Sequence, residues 1–320
     1  DGGAMARQVR TMTDTIRYRG PDGDGHFVDD CAGIALGHRR LAIIDLTEHG
    51  RQPMTSADGR WVISYNGEIY NYRDIRAELA ALGHRFTGDS DTEVLLEACA
   101  RWGIEKALPK MAGMFAFALW DRQERRLFLA RDRLGIKPLY WAQVGPQFLW
   151  ASELSAISAV AGSGLTEDPD AVAGLFRFGY IPAPLTIWKE ARKLAPGTLL
   201  TIAPDRQSKQ QAFWQLSDAV TAGRHDPIRE DIQAEDALDA LLRQVVSEHM
   251  ISDVPLGAFL SGGIDSSLVT SVMQAVSARP VKTFSIGFGS GQYDEAPFAR
   301  AVAQHLGTDH TELYVSEQQA

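Results

Sequence analysis

The spacing of apolar residues changes once along this chain, and that change limits the folds the chain can adopt. From Cys31 to about Leu200, short apolar runs alternate with Gly, Asn and Asp, a pattern typical of strands joined by turns. From Glu235 onward, short apolar runs are separated by longer segments with helical spacing. Because strands separated by helices imply a parallel sheet, the sequence predicts a mostly β domain followed by the start of an α/β domain.

The first region contains four apolar runs that are predicted to be strands. Two other segments, over residues 73–82 and 91–102, have helical spacing, and Asp89 or Ser90 is available to cap the second helix. The predicted strands are IALGHRRLAIID, WVISYNGEIYN, MFAFALWD and RLFLARD.

Helical and strand-like segments alternate in the second region. An apolar stripe predicts a first helix, and PLGAFL, residues 255–260, is predicted to be a buried strand. Further helices are predicted over residues 265–278 and 298–306, and further strands over residues 281–288 and over HTELYV. The stripe consists of Leu238, Leu241, Leu242, Val245 and Val246.

Length and composition set broad limits on the protein. A chain of 320 residues suggests about two domains, and the net charge of −9, without any basic block, argues against nucleic-acid binding. The two cysteines, Cys31 and Cys99, have neither disulfide-framework nor zinc spacing, so we expect reduced thiols and a cytoplasmic location. No apolar run approaches the roughly 20 residues that cross a bilayer.

The polar stretch over residues 206–232 divides the two regions. We predict a linker there, with one packed segment around Phe213 to Leu216, between a first domain over residues 1–205 and a second over residues 233–320. Met5 is not the first residue, and the final run VSEQQA resembles the opening of a helix. We therefore expect the sequence to be a piece of a longer protein.

The stretch FLSGGIDSS, Phe259 to Ser267, joins a predicted strand to a predicted helix. Glycines that lack Cβ let backbone N–H groups approach a phosphate, and the helix N-terminus adds a partial positive charge. Asp265 would repel a bare phosphate, so its presence suggests Mg²⁺ between carboxylate and phosphate oxygens. The alternative is a plain strand-to-helix turn capped by Ser or Asp.

Residues of the first region have two interpretations each. Asn66-Gly67 is a hairpin-turn signal, but it also brings a side-chain amide and a backbone N–H to one point, as an oxyanion hole requires. Arg40 is either a surface charge on an edge strand or a bidentate carboxylate ligand. Asp91 is either a helix-capping residue or a ligand.

Eight motifs occur in an order that resembles the glutamine-hydrolysing asparagine synthetases. SGGIDSS is similar to the pyrophosphate loop of the ATP pyrophosphatases, and the seven upstream motifs resemble the class II glutamine amidotransferase domain. The resemblance runs from about Met12 to the end of the chain. The upstream motifs are RGPDG, GHRRLAIID, YNGEIYN, GDSDTE, GMFAFALWD, RDRLGIKPLY and ASEL.

The resemblance implies a fold and a set of site residues. It implies an α+β first domain, an αββα sandwich of the Ntn glutaminase type, followed by the start of an α/β parallel-sheet ATP-pyrophosphatase domain. RGPDG would lie near the glutaminase site, and RDRLGIKPLY and ASEL would serve the domain interface and an ammonia channel. Asn66 and Gly67 would form the oxyanion hole. Arg40 would bind the glutamine α-carboxylate, with Leu41 to Ile44 (including Ile43) lining the pocket. Glu68 and Asp91 would receive the α-ammonium.

The second domain would bind MgATP. By resemblance, Leu260 borders the nucleotide and Ile286 lies against the adenine. The pyrophosphate and Mg²⁺ would be held by Ser261, Gly262, Gly263, Asp265 and Ser266, with Asp265 as the metal ligand.

The family's nucleophile is the thiol of an N-terminal Cys, whose α-amine acts as the base. Residue 1 is Asp, and we interpret Cys31 and Cys99 as small buried packing residues. Either a short first strand that carries the Cys lies outside this sequence, or this member never had it, as in the β-lactam synthetases. The ends of the sequence, which resemble cut ends, favour the first explanation, and the retained pocket residues favour an active enzyme.

Three functions follow from the resemblance. The first is amidation of aspartate to asparagine, with glutamine and MgATP as co-substrates and a possible homodimer. The second keeps the fold but amidates another carboxylate, on an exopolysaccharide, a peptide or a secondary metabolite; FGYIPAPLTIW, Phe178 to Trp188, resembles members associated with exopolysaccharide synthesis. The third is a non-catalytic module that binds glutamine or nucleotide.

Overall fold

The computed structural model describes residues 2–288 and 294–316. The backbone divides into two compact units, one over residues 1–224 and one over residues 225–320. No helix within the described residues is both long and apolar enough to cross a membrane.

The first unit contains eleven strands and six complete helices among its described residues. The strands are β1 Gly23–Asp29, β2 Ile34–Arg40, β3 Met54–Thr55, β4 Trp61–Ile69, β5 Gly113–Asp121, β6 Arg126–Arg131, β7 Tyr140–Val144, β8 Gln147–Ala151, β9 Ala191–Lys193, β10 Thr198–Ile202 and β11 Ser208–Ala212. The helices are α1 Gly2–Thr15, α2 Tyr72–Ala81, α3 Asp91–Trp102, α4 Ile104–Ala107, α5 Leu154–Ala161 and α6 Pro169–Phe178; α7 Leu216–His225 follows at the boundary of the unit.

These strands form a sandwich of two layers. One layer is a six-stranded sheet with the order β11-β10-β6-β5-β4-β3, in which every pair is antiparallel. The other layer consists of the pair β1-β2 and the three strands β8-β7-β9. A buried apolar core lies between the layers and includes Leu36, Val62, Ala118 and Leu129. Helices α1 and α5 pack outside the second layer and α2 and α3 outside the first, which gives the predicted αββα arrangement.

Local sequence explains where the elements of the site begin and end. Helix α3 begins at Asp91 as predicted, because the Ser90 side chain accepts a hydrogen bond from the Glu93 N–H at 3.2 Å. Strand β2 ends at Arg40, so the predicted continuation through Asp45 is wrong. The chain leaves the sheet in a loop in which Asp45 has a positive φ of 52°.

The interpretation of Asn66-Gly67 as a hairpin turn is also wrong. Both residues lie inside β4, where Asn66 is opposite Ala116 and Gly67 is opposite Phe115 of β5. Long-range pairing with β5 overrides the local preference of this dipeptide for a turn. The pairing also leaves no room for a side chain at residue 67, since a Cβ there would lie 2.2 Å from the Met114 carbonyl oxygen.

The segment predicted to be a linker contains regular structure. Strand β11 pairs with β10 along its full length, and α7 follows it. Phe213 stacks on Phe115 of the large sheet with ring centroids 6.3 Å apart, which confirms the packed segment. The six-stranded sheet therefore extends beyond residue 205.

The second unit is a three-stranded parallel sheet with the order β12-β13-β14, as the alternation of strands and helices predicts. The strands are β12 Gly257–Phe259, β13 Lys282–Phe288 and β14 Asp309–Val315, and the helices are α8 Asp231–His249, α9 Ile264–Val276 and α10 Ala296–Leu306.

One burial prediction for this unit is wrong, whereas the helix predicted from the apolar stripe is present as α8. PLGAFL is predicted to be a buried strand, but Phe259 is 80% exposed. The reason is that buried and exposed residues alternate along the strands of this sheet, so that only one of its faces is covered. Of the apolar stripe on α8, Val246 is buried against Val272 and Met273 of α9, whereas Leu238 and Leu241 are exposed.

Candidate functional site

A cavity of about 950 Å³ lies in the first unit, where the ends of β2 and β4 meet the start of α3. It brings together residues that are far apart in sequence. All the residues predicted to bind glutamine line it: Arg40, Leu41, Ile43, Ile44, Asn66, Gly67, Glu68 and Asp91.

Strand alternation selects which β4 side chains face the other layer of the sandwich. Successive side chains of a strand point to opposite faces, so Ser64, Asn66 and Glu68 share one face. The Ser64 hydroxyl donates to the Gly37 carbonyl of β2 at 3.0 Å, which shows that this face is directed toward the second layer. Asn66 and Glu68 therefore project into the cavity between the layers.

Asn66 presents an unused hydrogen-bond donor. Its Nδ2 atom is buried and has no partner among the described residues. Since an unpaired buried donor costs about 1–3 kcal/mol, such a group is expected where a ligand completes the bond. Gly67 lies next to it on the same strand, so a side-chain amide and a backbone N–H are adjacent, as an oxyanion hole requires.

Glu68 and Asp91 place two carboxyl groups at the same end of the cavity. Burial, together with the charge of Asp91, raises the pKa of Glu68 to about 7. Burial also raises the pKa of Asp91, although its Oδ2 accepts hydrogen bonds from the Tyr65 hydroxyl at 2.7 Å and the Ile69 N–H at 3.0 Å. A cation bound beside both groups would favour their ionised forms, which makes this end of the cavity suitable for an ammonium.

Arg40 supplies a cation at the end of β2. Its guanidinium donates to the Thr47 carbonyl at 2.9 Å and also to the Asp45 carbonyl. These neutral acceptors orient the group without cancelling its charge, and the guanidinium has five N–H donors in all. Arg40 thus remains able to bind a carboxylate.

The loop that holds Arg40 is joined to the segment before α3. The Asp45 carboxylate accepts the N–H of Thr47 and the N–H of Asp89, each at 3.0 Å. This connection fixes the Arg40 end of the cavity relative to the Asp91 end.

RGPDG packs beside Arg40. The Asp22 N–H donates to the Arg40 carbonyl at 3.0 Å, and the Asp22 carboxylate accepts the Ala42 N–H at 2.9 Å. Arg19 lines the cavity and forms an ion pair with Glu153 of ASEL at 2.8 Å. The two motifs therefore lie close to the cavity.

The cavity continues into a groove between β2 and β8. Within the described ranges, the only strand that pairs with β2 is β1, and the only strand that pairs with β8 is β7. Both strands line the cavity, and α1 lies across the groove, where the Gln8 side-chain amide donates to Gln147 of β8 at 3.3 Å. Two strand edges without strand partners thus border one groove.

Neither cysteine lines the cavity. Cys99 is buried in α3, as expected, and burial raises the pKa of its thiol, which opposes formation of a thiolate. Cys31 is exposed in the turn between β1 and β2, so its interpretation as a buried packing residue is wrong. Because Cys31 lies in a polar turn at the end of a hairpin, its thiol is not packed in the apolar core.

Several further residues line the cavity without having been identified from the sequence, among them Gln52, Tyr65 and Lys137. The Gln52 side chain accepts the Tyr65 N–H at 2.7 Å and lies 3.4 Å from the Thr92 hydroxyl, so it joins β4 to α3. The Asp in RDRLGIKPLY, Asp132, could have indicated a side-chain-stabilised turn before Lys137. No local signal indicates that this turn reaches the cavity.

In the second unit, the SGGIDSS loop joins β12 to α9. Gly262 has a φ of +80°, and a Cβ there would lie 2.6 Å from Cβ of Phe298. The hydroxyls of Ser261 and Ser266 are hydrogen-bonded to each other at 2.9 Å, and the Ser267 hydroxyl is buried without a partner among the described residues. These serines and the start of α9 form a cluster of donors suited to an anion.

The other predicted nucleotide contacts are placed differently. Leu260 is buried with Ala299 and Ala303 of α10, so its side chain is directed into the core, while its N–H donates to the Phe284 carbonyl at 2.8 Å. Ile286 is 46% exposed on β13. Gly263 and Asp265 are exposed at the start of α9, and no group of three or more His, Cys, Asp or Glu suited to a metal occurs in the described part of the chain.

Comparison with protein families agrees with this geometry. Residues 2–214 match the family described as glutamine amidotransferase domain, and residues 237–320 match the family described as asparagine synthase.

Several proteins resemble nearly the whole chain. Asparagine synthetase [glutamine-hydrolyzing] 1 of Bacillus subtilis is 38% identical over 97% of this chain and 47% of its own length. Putative asparagine synthetase [glutamine-hydrolyzing] 2 of Methanocaldococcus jannaschii is 37% identical over 98% of this chain and 62% of its own length. An amidase of Gibberella zeae, chry2, is 32% identical over 97% of this chain and 47% of its own length. The chain thus spans about half the length of the relatives it matches.

A solved structure resembles the fold. Glutamine phosphoribosylpyrophosphate amidotransferase from B. subtilis aligns with a TM-score of 0.53 and 15% identity, over 98% of this chain and 89% of the other.

Proposed function

Because this chain belongs to the glutamine-hydrolysing asparagine synthetase family, with an amidotransferase domain followed by the start of an asparagine synthase domain, we propose that it supplies ammonia from glutamine for asparagine synthesis. One observation carries the proposal. A single cavity holds an unpaired amide donor, Asn66 Nδ2, together with a guanidinium, Arg40, and two carboxyl groups, Glu68 and Asp91.

This set of groups matches the zwitterion of glutamine. Arg40 would bind the α-carboxylate, and Glu68 and Asp91 would bind the α-ammonium. With both charged ends held, the side-chain amide would extend toward Asn66 and Gly67. Leu41, Ile43 and Ile44 would cover the methylene groups.

Hydrolysis would proceed through a thioester. A thiolate attacks the amide carbon, a C–S bond forms, and the oxygen becomes an oxyanion that accepts hydrogen bonds from Asn66 Nδ2 and the Gly67 N–H. The C–N bond breaks as the nitrogen takes a proton and leaves as ammonia. Water then attacks the thioester, the C–S bond breaks, and glutamate and the thiol are released.

We propose that the thiol is carried by an extended segment seated in the groove between β2 and β8. The groove has a strand edge on each side, so a segment there would hydrogen-bond to both and complete a continuous second layer. Its end would enter the same cavity as Asn66 and Gly67.

Peptide complementation tests this part of the proposal. A synthetic peptide that begins Cys-Gly-Ile, added to the 320-residue chain, should bind and produce glutamate from glutamine. The same peptide with Ser in place of Cys should bind without activity. Binding of neither peptide would refute the groove as the position of the nucleophile, while leaving the overall function open to the assay below.

The second unit would use MgATP to activate the acceptor. Ser261, Gly262, Gly263 and Ser266 with the start of α9 would hold the pyrophosphate group, and Asp265 would hold Mg²⁺ together with phosphate oxygens. The buried, unpaired Ser267 hydroxyl fits a site that a ligand completes. Bound Mg²⁺ would shield the phosphate charge during adenylation of the aspartate side-chain carboxylate, after which ammonia displaces AMP and gives asparagine.

The full-length protein supplied with glutamine, aspartate and MgATP tests the whole scheme. We expect glutamate, asparagine, AMP and pyrophosphate in equal amounts. Pyrophosphate release with another carboxylate, but none with aspartate, would favour the alternative acceptor. Absence of both glutamate and pyrophosphate would refute the enzyme and favour the binding module. The cytoplasmic location and the homodimer stay predictions.

A further inference from the structure

The proposed glutamine scheme leaves one cation of the cavity unused. Lys137 lines the same cavity as Asn66, Gly67 and Glu68. It interacts electrostatically with Glu68 and Arg19. In the part of the chain that the structure describes, the Lys137 ammonium forms no ion pair within 4.0 Å, so its charge is available to the cavity.

A rigid turn holds Lys137 in this position. The fully buried Asp132 carboxylate accepts the backbone N–H groups of Leu134 at 3.1 Å, Ile136 at 2.9 Å and Lys137 at 2.9 Å. Arg131 Nε donates to the Lys137 carbonyl at 2.7 Å. Both the N–H and the carbonyl of Lys137 are therefore hydrogen-bonded, which fixes the backbone from which its side chain extends.

The same turn is attached to the strand next to the proposed oxyanion hole. Asp132 also accepts the N–H of Phe115 at 3.1 Å, and Phe115 is the residue opposite Gly67 in the large sheet. The position of Lys137 is thus set relative to Asn66, Gly67 and Glu68 through a short chain of hydrogen bonds.

The charges around Glu68 come from three elements. Asp91 of α3, the phenol of Tyr65 on β4 and the phenol of Tyr70 just after β4 interact with it, and Lys137 is the cation among its neighbours. Lys137 itself faces Arg19 and Asp132. Without Lys137, the repulsion between the buried carboxylate of Asp91 and the half-buried carboxylate of Glu68 would be relieved by a proton, which must leave when a substrate ammonium binds.

We propose that Lys137 is a positioning residue of the substrate site that acts through Glu68, favouring the ionised form of this carboxylate in the empty site, the form that receives the substrate ammonium. The inference rests on the proposed function, since it assigns the ammonium of glutamine to Glu68 and Asp91. A fixed cation leaves the two carboxylates with one net negative charge, which matches the single positive charge of the incoming group.

Glutamine binding to the full-length protein, measured by calorimetry between pH 6 and pH 8.5, tests the proposal with Lys137→Met. Loss of the cation should raise the midpoint of Glu68 ionisation by about one pH unit, from about 7 in the intact site. The Kd for glutamine should then rise about five-fold at pH 7 and by less than about 1.5-fold at pH 8.5. Measurements in buffers of different ionisation enthalpy should show about 0.9 proton released on binding at pH 7, against about 0.5 in the wild type.

Lys137→Arg is the matched control because it keeps the charge and should retain the wild-type pH dependence. A pH-independent loss of affinity in Lys137→Met, or the same pH shift in Lys137→Arg, would overturn the proposal and assign Lys137 a packing role. Lys137→Gln replaces the Met variant if circular dichroism shows that the latter is unfolded.

Titration of glutamate carboxyl groups by NMR in the ligand-free protein separates this proposal from the proposed function. If the wild type does not bind glutamine, the glutamine site is refuted, while an upward shift of the Glu68 midpoint in Lys137→Met still supports the pairing. An unchanged midpoint overturns the role of Lys137 whether or not glutamine binds.

Discussion

The hydrogen bond between Tyr65 and Asp91 offers a sharp test of how the ammonium end of the cavity is built. Tyr65→Phe removes one oxygen and keeps the ring. Both side chains are buried, with the Tyr65 hydroxyl 2.7 Å from Asp91 Oδ2, and the N–H of Ile69 remains as the second donor to the same oxygen. The substitution therefore removes the only side-chain donor to this buried carboxylate among the described residues, with little change in packing.

The expected cost follows from the charge of the acceptor. A hydrogen bond to a charged group contributes about 1.5–3 kcal/mol, so the free energy of unfolding should fall by about 2 kcal/mol at pH 8. Burial raises the pKa of Asp91, and the Tyr65 hydroxyl opposes that rise, so the variant raises the pKa further. A raised carboxyl pKa in the folded state costs stability above that pKa, and the cost disappears once Asp91 is protonated in both states. The loss should therefore shrink as the pH falls toward 4.

Urea unfolding followed by tryptophan fluorescence measures this effect in the right unit, because all seven tryptophans lie before residue 225. Tyr72→Phe is the control, since the one hydrogen bond of its hydroxyl within the described ranges is a long one of 3.4 Å from Arg73, and it should change stability by less than about 0.5 kcal/mol. An equal loss for Tyr65→Phe at pH 8 and pH 4 would refute the assignment of the effect to an ionised Asp91.

Three other predictions concern the two proposed sites. Asn66→Ala should lower kcat for glutamine hydrolysis by about 100- to 1,000-fold with a nearly unchanged KM, and a change confined to KM would exclude an oxyanion role. Glutamine affinity should fall as the pH drops through about 7, where Glu68 becomes protonated, and Glu68→Gln should remove this dependence from a profile of KM against pH. Gly262→Ala places a Cβ 2.6 Å from Phe298 at a φ of +80°, so it should abolish ATP-dependent pyrophosphate release but leave glutaminase activity intact; wild-type release would contradict a phosphate role for the loop.

Elements with local determinants were predictable from the sequence. The start of α3 depends on Ser90 and Glu93, which are three residues apart, and β4 and β5 are long apolar runs. The parallel order of the second unit followed from the alternation of strands and helices.

Elements that depend on distant partners were not predictable. Strand β11 is exposed at every residue and has no apolar alternation, so only its pairing with β10 makes it a strand. Asn66-Gly67 has the local chemistry of a turn but is held in the sheet by β5. Lys137 reaches the cavity because the Asp132 carboxylate accepts both the Lys137 N–H and the N–H of Phe115 in the large sheet. No pattern in the sequence reveals this connection.

The site itself shows the same division. Arg40, Asn66, Glu68 and Asp91 share no local pattern, and the motifs around them identified them only through a family resemblance. The structure adds that these residues line one cavity. It also shows the property that suits each to bind a ligand: Asn66 has an unpaired donor, Glu68 has a raised carboxyl pKa, and the Arg40 guanidinium is held by neutral carbonyls.

The groove between β2 and β8 has a thermodynamic consequence. Strand edges that have no strand partner among the described residues leave N–H and C=O groups to water, and at about 30 Å³ per molecule the whole cavity of 950 Å³ has space for roughly thirty waters. Apolar residues such as Phe148 and Trp150 line the same space, so an occupant would remove apolar surface from water. Occupancy of the groove should therefore be accompanied by a negative change in heat capacity and a higher melting temperature for the first unit, a calorimetric signature that needs no catalytic turnover.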